Sequence, residues 1–234
     1  MISISRLLCD SQSPGDSLRY GESHPGTIKV TSPAPVVVWN CTSRCNLKCV
    51  HCYASAKNNR DQFEMNTSDG KEFIRSLADF GVPVLLFSGG EPVMRDDLFE
   101  LAQFAVTSGL RIALSSNGTL IDNQRAKTLA SLGFSEIGIS LDGTEQTNDD
   151  FRGLTGAYQK ALEGIRNCRR HGLRISLRFT INRFNYLEIP AMFKLAEEEG
   201  IERLCFYHLA YSGRGADLVQ DDLSHSQTRA AVDT

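Results

Sequence analysis

Cys45, Cys49 and Cys52 fall within eight positions of one another, in the stretch Trp39-Asn40-Cys41-Thr42-Ser43-Arg44-Cys45-Asn46-Leu47-Lys48-Cys49-Val50-His51-Cys52-Tyr53, with the spacing Cys-x3-Cys-x2-Cys. Three thiolates on one short loop can hold three irons of a cubane and leave the fourth open to another ligand, whereas a cluster that only carries electrons normally has four cysteines. A structural zinc site needs four N or S ligands, and His51 sits too close beside Cys52 to supply the fourth comfortably, so zinc is the plainer alternative with one ligand short. Cys41 could imitate a ligand in a slipped register with Cys45, but no third cysteine follows at the right distance, and it reads as a buried strand-end thiol. Cys9, Cys168 and Cys205 are scattered, and core packing is their default reading.

Further along, Phe87-Ser88-Gly89-Gly90-Glu91-Pro92 sets two glycines, which let backbone approach a ligand closely, beside a carboxylate that can receive an ammonium group. Ser115-Ser116-Asn117-Gly118 and Ser140-Leu141-Asp142-Gly143 offer hydroxyls, an amide and a carboxylate suited to a ribose and a zwitterion. Taken singly, Asn117-Gly118 and Asp142-Gly143 are also ordinary turn sequences. Arg178, within Leu177-Arg178-Phe179-Thr180-Ile181, has apolar neighbours on both sides. Facing inward it requires an anion; at the rim it makes a salt bridge.

The elements that must position these groups alternate. Runs rich in β-formers occupy residues 36–39, 84–87, 111–114, 137–141, 174–181 and 203–209, and helical patterns occupy 68–80, 96–108, 124–132, 157–171 and 186–199. Gly81, Gly109, Gly133, Gly172 and Gly200 stand just beyond those helices, where a left-handed cap is needed. Alternation of this kind predicts an α/β fold with a parallel sheet and right-handed crossovers, here a partial barrel of six βα units with ligands at the C-terminal ends of the strands. Residues 1–35, rich in Ser, Gly and Pro, read as an irregular lead-in, 36–215 as the barrel, and 216–234 as the start of a C-terminal region that reads as truncated. Within it Ser224, with Gln227 three residues on, has the form of a helix start.

A chain of 234 residues, 41% apolar and 23% charged, suits one domain with a real core. A formal charge of -3 argues against general attraction to nucleic acid. No apolar run approaches the roughly 18 residues of a membrane span, and the first residues lack a signal-peptide pattern, so a cytoplasmic protein without membrane partners is expected. Seven cysteines, an odd count with three clustered, fit a metal site in a reducing compartment.

Cys45-x3-Cys49-x-His51-Cys52, followed one strand later by Gly89-Gly90-Glu91-Pro92, resembles the signature of radical S-adenosylmethionine (SAM) enzymes, and the resemblance spans residues 36–215. It implies a [4Fe-4S] cluster on Cys45, Cys49 and Cys52, with SAM at its open iron. His51 would then lie by the adenine, and Gly89, Gly90 and Glu91 would receive the methionine amino group. Ser140, Asn117 and Asp142 would be cofactor contacts, and Arg152 would take the methionine carboxylate. It also implies an electron donor, and a deoxyadenosyl radical that removes hydrogen from the substrate. Residues 4–9, 16–21, 35–40 and 206–215 resemble the tetrapyrrole-modifying branch. Its reactions include removal of two acetate side chains from 12,18-didecarboxysirohaem to give iron-coproporphyrin III in haem biosynthesis. On that reading Arg178, Tyr207, His208 and Arg214 meet the macrocycle, its iron and its carboxylates, with Tyr211 nearby. The resemblance extends to radical SAM enzymes that mature peptides, and the reading from a different class is a non-catalytic iron-sulfur or zinc module. Relatives of both enzyme types carry a cysteine-rich C-terminal extension with an auxiliary cluster, and no cysteine follows Cys205 here.

Overall fold

The computed structural model describes residues 35–59 and 61–233, so the expectations for Cys9 and the lead-in fall outside the described residues. Six strands, β1 (Val37–Thr42), β2 (Val84–Gly89), β3 (Arg111–Ser116), β4 (Ile137–Ser140), β5 (Ile175–Ile181) and β6 (Arg203–His208), form one sheet in sequential order. All five neighbouring pairs are parallel. β1 and β6 are its two edges, so the barrel is open. The crossovers carry α1 (Thr67–Asp79), α2 (Leu98–Thr107), α3 (Asn123–Ser131), α4 (Glu145–Arg152), α5 (Ala157–Arg170) and α6 (Ile189–Glu198), and α7 (His225–Val232) follows β6.

Strand alternation divides the sheet into two faces. Leu85, Phe87, Ile112, Leu114, Ile137, Ile139, Leu177 and Phe179 are all fully buried in the core, which also takes in Ile74, Leu101, Ala126, Leu129 and Ile165 from the helices. Burial of each such Leu, Ile or Phe contributes about 1.5–3 kcal/mol, and this outer layer is what closes the fold. The alternate positions Leu86, Ser88, Ser115, Ser140, Arg178, Thr180, Cys205 and Tyr207 line an internal cavity instead.

Helix ends follow their caps. Asn66 accepts from the Asp69 N–H at the start of α1, Asp122 from the Arg125 N–H at α3, and Ser224 forms a complete capping box with Gln227 at α7. Two elements differ from the sequence expectation. The helix anticipated from residue 186 begins at Ile189, because Pro190 belongs in a first turn, and Tyr186–Glu188 is a separate 3-10 turn. α4 was not anticipated, since eight residues as polar as Glu145–Arg152 present no apolar stripe. The anticipated boundary at residue 215 falls inside a continuous 3-10 segment, Gly213–Asp221. Among the described residues no helix is long and apolar enough to cross a membrane.

Candidate active site at the three-cysteine loop

The cavity has a volume of about 440 Å3 and is lined by residues of all six strands and by Cys45, Cys49 and Cys52, so the three thiols expected to act together do face one space. Their loop is fixed at its base by backbone bonds, Cys45 N–H to the Lys57 carbonyl at 2.7 Å and Lys57 N–H to the Ser43 carbonyl at 3.2 Å. Cys45 Sγ accepts from the Leu47 N–H at 3.4 Å, Cys52 Sγ from the Ala56 N–H at 3.5 Å, and Cys49 Sγ from Arg152 Nη1 at 3.7 Å. Donors aimed at sulfur are what a metal-bound thiolate uses to spread its charge. Burial pushes the Cys45 thiol up to about 11 and raises Cys49 as well, so a metal that binds here displaces protons. Cys41 is turned into the core, pushed up to about 12 by burial, and does not line the cavity. Cys168 is fully buried in the core as expected, but Cys205 lines the cavity, because it shares the inner face of β6 with Arg203 and Tyr207.

The Gly89-Gly90 pair serves close approach first of all to the cysteine loop itself. A Cβ at Gly89 would collide with the Thr42 carbonyl oxygen and one at Gly90 with that of Arg44, and the Gly90 and Glu91 N–H groups donate to those same carbonyls at 2.7 Å. Glu91 departs from its expected place in the cavity lining. It is fully buried, and its carboxylate accepts from Ser116 Oγ at 2.8 Å, the Asn117 N–H at 2.7 Å and the Val93 N–H at 3.4 Å. Burial pushes it up to about 7 in spite of those donors. It therefore ties the end of β3 to the turn after β2. Asn117 lines the cavity, but its amide donates to Asn46 Oδ1 at 2.9 Å and towards Cys45 Sγ at 3.8 Å.

Asp142 is likewise internal. Buried completely, it pairs with Arg152, stands 3.1 Å from His51 Nε2 and accepts from the Thr180 N–H at 2.8 Å. Burial alone would raise its pKa, but Arg152 and His51 outweigh that and hold it at about 2. Arg152 and His51 both line the cavity, as does Ser140. The residue expected to take a carboxylate from the cofactor thus already holds one from the protein, with part of its guanidinium left over.

On the opposite wall Arg178 points inward, donates to Ser115 Oγ, and crosses Gly138 so closely that a Cβ there would collide with its guanidinium. The salt bridge anticipated at the rim is absent: among the described residues Arg178 pairs with no carboxylate. Arg203 in the same wall pairs with Glu136 at 3.1 Å. Tyr207 and His208 line the cavity as expected. Arg214 lines the cavity, and its Nε donates to the Cys49 carbonyl at 2.8 Å and its Nη1 to the Ala56 carbonyl at 3.0 Å, which clamps the cysteine loop. Tyr211 turns outward to Asp222. Ser212-Gly213-Arg214-Gly215, which could have been a loose turn, is packed on the loop through the Arg214 N–H to the Cys52 carbonyl at 3.0 Å. Arg95, which sequence reading passed over, braces the other side by donating to the Cys41 and Met65 carbonyls.

The donor set fits an iron-sulfur cluster with an adjacent polar ligand. Three thiols face the cavity, and the lining residues His51, Arg152 and Arg178 each keep one buried nitrogen without a partner, at Nδ1, Nε and Nε respectively. The radical SAM superfamily pattern matches residues 39–196, from the last residues of β1 into α6. The chain belongs to the radical SAM superfamily. SAM and an iron-sulfur cluster come with that membership. This radical SAM chain is 53% identical over 238 aligned positions, all of its own length, to the Fe-coproporphyrin III synthase of Methanosarcina barkeri, and it spans 60% of that protein. It is 44% identical over 209 positions to the pre-heme d1 synthase of Dinoroseobacter shibae, which covers 89% of this chain and 52% of the relative. The fold is shared with Streptococcus suis SuiB bound to S-adenosylmethionine, at a TM-score of 0.71, 18% identity, 86% of this chain and 47% of SuiB.

Proposed function

We propose that this chain is the radical SAM barrel of an enzyme that removes acetate side chains from 12,18-didecarboxysirohaem to give iron-coproporphyrin III. The observation that carries this reading is the cavity itself. Three thiols face it, Val36, Val38 and Leu86 form an apolar wall on the β1–β2 side, and Arg178 and His208 line the β5–β6 side, where Arg203 is paired with Glu136. A macrocycle with an apolar face and carboxylates at its rim matches both walls at once, since guanidinium groups suit carboxylates. The similarity to the M. barkeri Fe-coproporphyrin III synthase supports the same substrate class.

In this reading Cys45, Cys49 and Cys52 hold a [4Fe-4S] cluster, which with SAM and an electron from an external donor supplies the radical that takes hydrogen from the substrate. The chain's own residues do the positioning. The Gly89-Gly90 backbone, Ser140 and His51 face the cofactor, Arg178 takes a substrate carboxylate, and Tyr207 and His208 meet the macrocycle. A walled cavity keeps water and stray hydrogen donors from the radical.

The test is anaerobic reconstitution with iron and sulfide, then dithionite and SAM, with and without didecarboxysirohaem. Expected products are 5′-deoxyadenosine and iron-coproporphyrin III. A folded, iron-loaded chain that yields no 5′-deoxyadenosine under any condition sinks the enzyme reading, and turnover only with a peptide sinks the tetrapyrrole one.

A further inference from the structure

The middle cysteine is held from a direction that neither the cysteine spacing nor the glycine pair accounts for. The last turn of α4 is docked on the loop by backbone, with Lys48 N–H donating to the Arg152 carbonyl at 3.2 Å and Val50 N–H to that of Phe151 at 2.9 Å. Gly153 closes α4 in the left-handed region at φ 64°, and a Cβ there would stand 2.9 Å from the Lys48 carbonyl oxygen. From this turn Arg152 reaches Cys49 Sγ with Nη1 while its other terminal nitrogen pairs with Asp142. Asp142 is itself over-determined: its N–H donates to Asn148 Oδ1 at 3.0 Å, its carbonyl accepts from Asn185 Nδ2 at 2.9 Å, and its carboxylate accepts from Thr180 N–H and meets His51. A fully buried carboxylate with this many fixed partners aims a guanidinium whose remaining contact is a ligand sulfur.

We propose that Arg152, aimed by Asp142, is a positioning residue that acts through Cys49 to raise the reduction potential of the cluster. Reduction adds negative charge to a cluster and its thiolates, and a fixed cation beside one of those sulfurs stabilises the reduced form more than the oxidised form. Asp142 offsets part of that field, but it meets the other terminal nitrogen, while Nη1 is the atom in contact with the sulfur. The pair fixes where the cation sits, and the nearer charge sets the sign. Few other donors reach the sulfurs: Leu47 and Ala56 supply neutral N–H groups and Asn117 a neutral amide, so Arg152 brings the full charge.

This inference rests on the reading of Cys45, Cys49 and Cys52 as cluster ligands. It is tested on the chain reconstituted anaerobically with iron and sulfide, by iron content and by a redox titration of the EPR signal without SAM. Arg152→Gln should retain iron while its midpoint moves negative, so that the ratio of reduced to oxidised cluster at the wild-type midpoint falls roughly tenfold, about 59 mV for one electron. Arg152→Lys should restore most of the shift, and Asp142→Asn should move the midpoint the other way. An iron-loaded Arg152→Gln with the wild-type midpoint overturns the inference, including when SAM binding is weakened, since Arg152 would then serve only the cofactor. Where Arg152→Gln holds no iron, Arg152→Met decides in its place: an iron-loaded variant with the wild-type midpoint overturns the inference. Absence of iron from the wild type is a different result and removes the cluster reading itself.

Discussion

The rim that carries the cysteine loop and the inner wall of β5 and β6 are built on opposite principles. At the rim nearly every polar side chain is committed to another part of the protein: Glu91 to β3, Asp142 to Arg152 and Thr180, Asn117 to Asn46, Arg214 to two carbonyls of the loop. On the wall, Arg178, Tyr207, His208 and Cys205 turn into the cavity, and Arg178 has only a hydroxyl to bind. A rim of interlocked groups suits a cofactor that must sit in one geometry, and the Arg178 guanidinium, which pairs with no carboxylate among the described residues, is the charge the wall leaves for a ligand. On the proposed reading, the rim holds the cofactor and the wall meets the substrate.

Five substitutions put this contrast under strain. The largest effect belongs to Cys49→Ala, which should abolish iron binding on reconstitution, while Cys41→Ala should load iron as the wild type does; equal loss from both would place the ligands in the other register. Next comes Arg214→Ala, which removes two bonds that clamp the loop, each worth about 0.5–1.5 kcal/mol, and should make a chelator strip iron from the protein several-fold faster. On the wall, Arg178→Gln should weaken didecarboxysirohaem about tenfold by equilibrium titration and leave iron content unchanged. Gly138→Ala should copy it, since its new methyl displaces the Arg178 guanidinium. If either wall change stripped iron, the separation of rim from wall would be lost.

The smallest expected effect is a pH slope. Glu91 titrates near 7 in the folded chain against an ordinary value of 4.5, so the folded state keeps a proton that the unfolded state has released between those values. Stability then falls as pH rises from about 5 to 7, by roughly 2 kcal/mol. Glu91→Gln should flatten that slope in thermal unfolding. Asp142, held at about 2, acts in the opposite sense: its contribution is complete above its ordinary value of 3.8 and is lost as pH falls from there towards 2.

The six strands were legible because β-formers recur between capped helices, and the cavity-facing cysteines because their spacing is itself the chemistry. Side-chain direction at strand ends was not. Asp142 and Glu91 lie just past β4 and β2, where alternation stops, so their residue types suggested a ligand but gave no sign of the protein groups their carboxylates also hold. Cys205 could have been placed correctly, for it lies two residues from Arg203 and two from Tyr207 on one strand face. Arg214 could not, because the carbonyl it clamps lies 165 residues away in sequence. α4 left only weak marks, Glu145 in its first turn, Arg152 in its last and Gly153 behind it.

The account is tested most directly by following hydrogen. Didecarboxysirohaem deuterated in the side chains that are lost or altered, turned over once by the reconstituted chain with SAM and dithionite, should deliver deuterium into 5′-deoxyadenosine as read by mass spectrometry. Formation of 5′-deoxyadenosine without label, at the same rate with and without the tetrapyrrole, would contradict it.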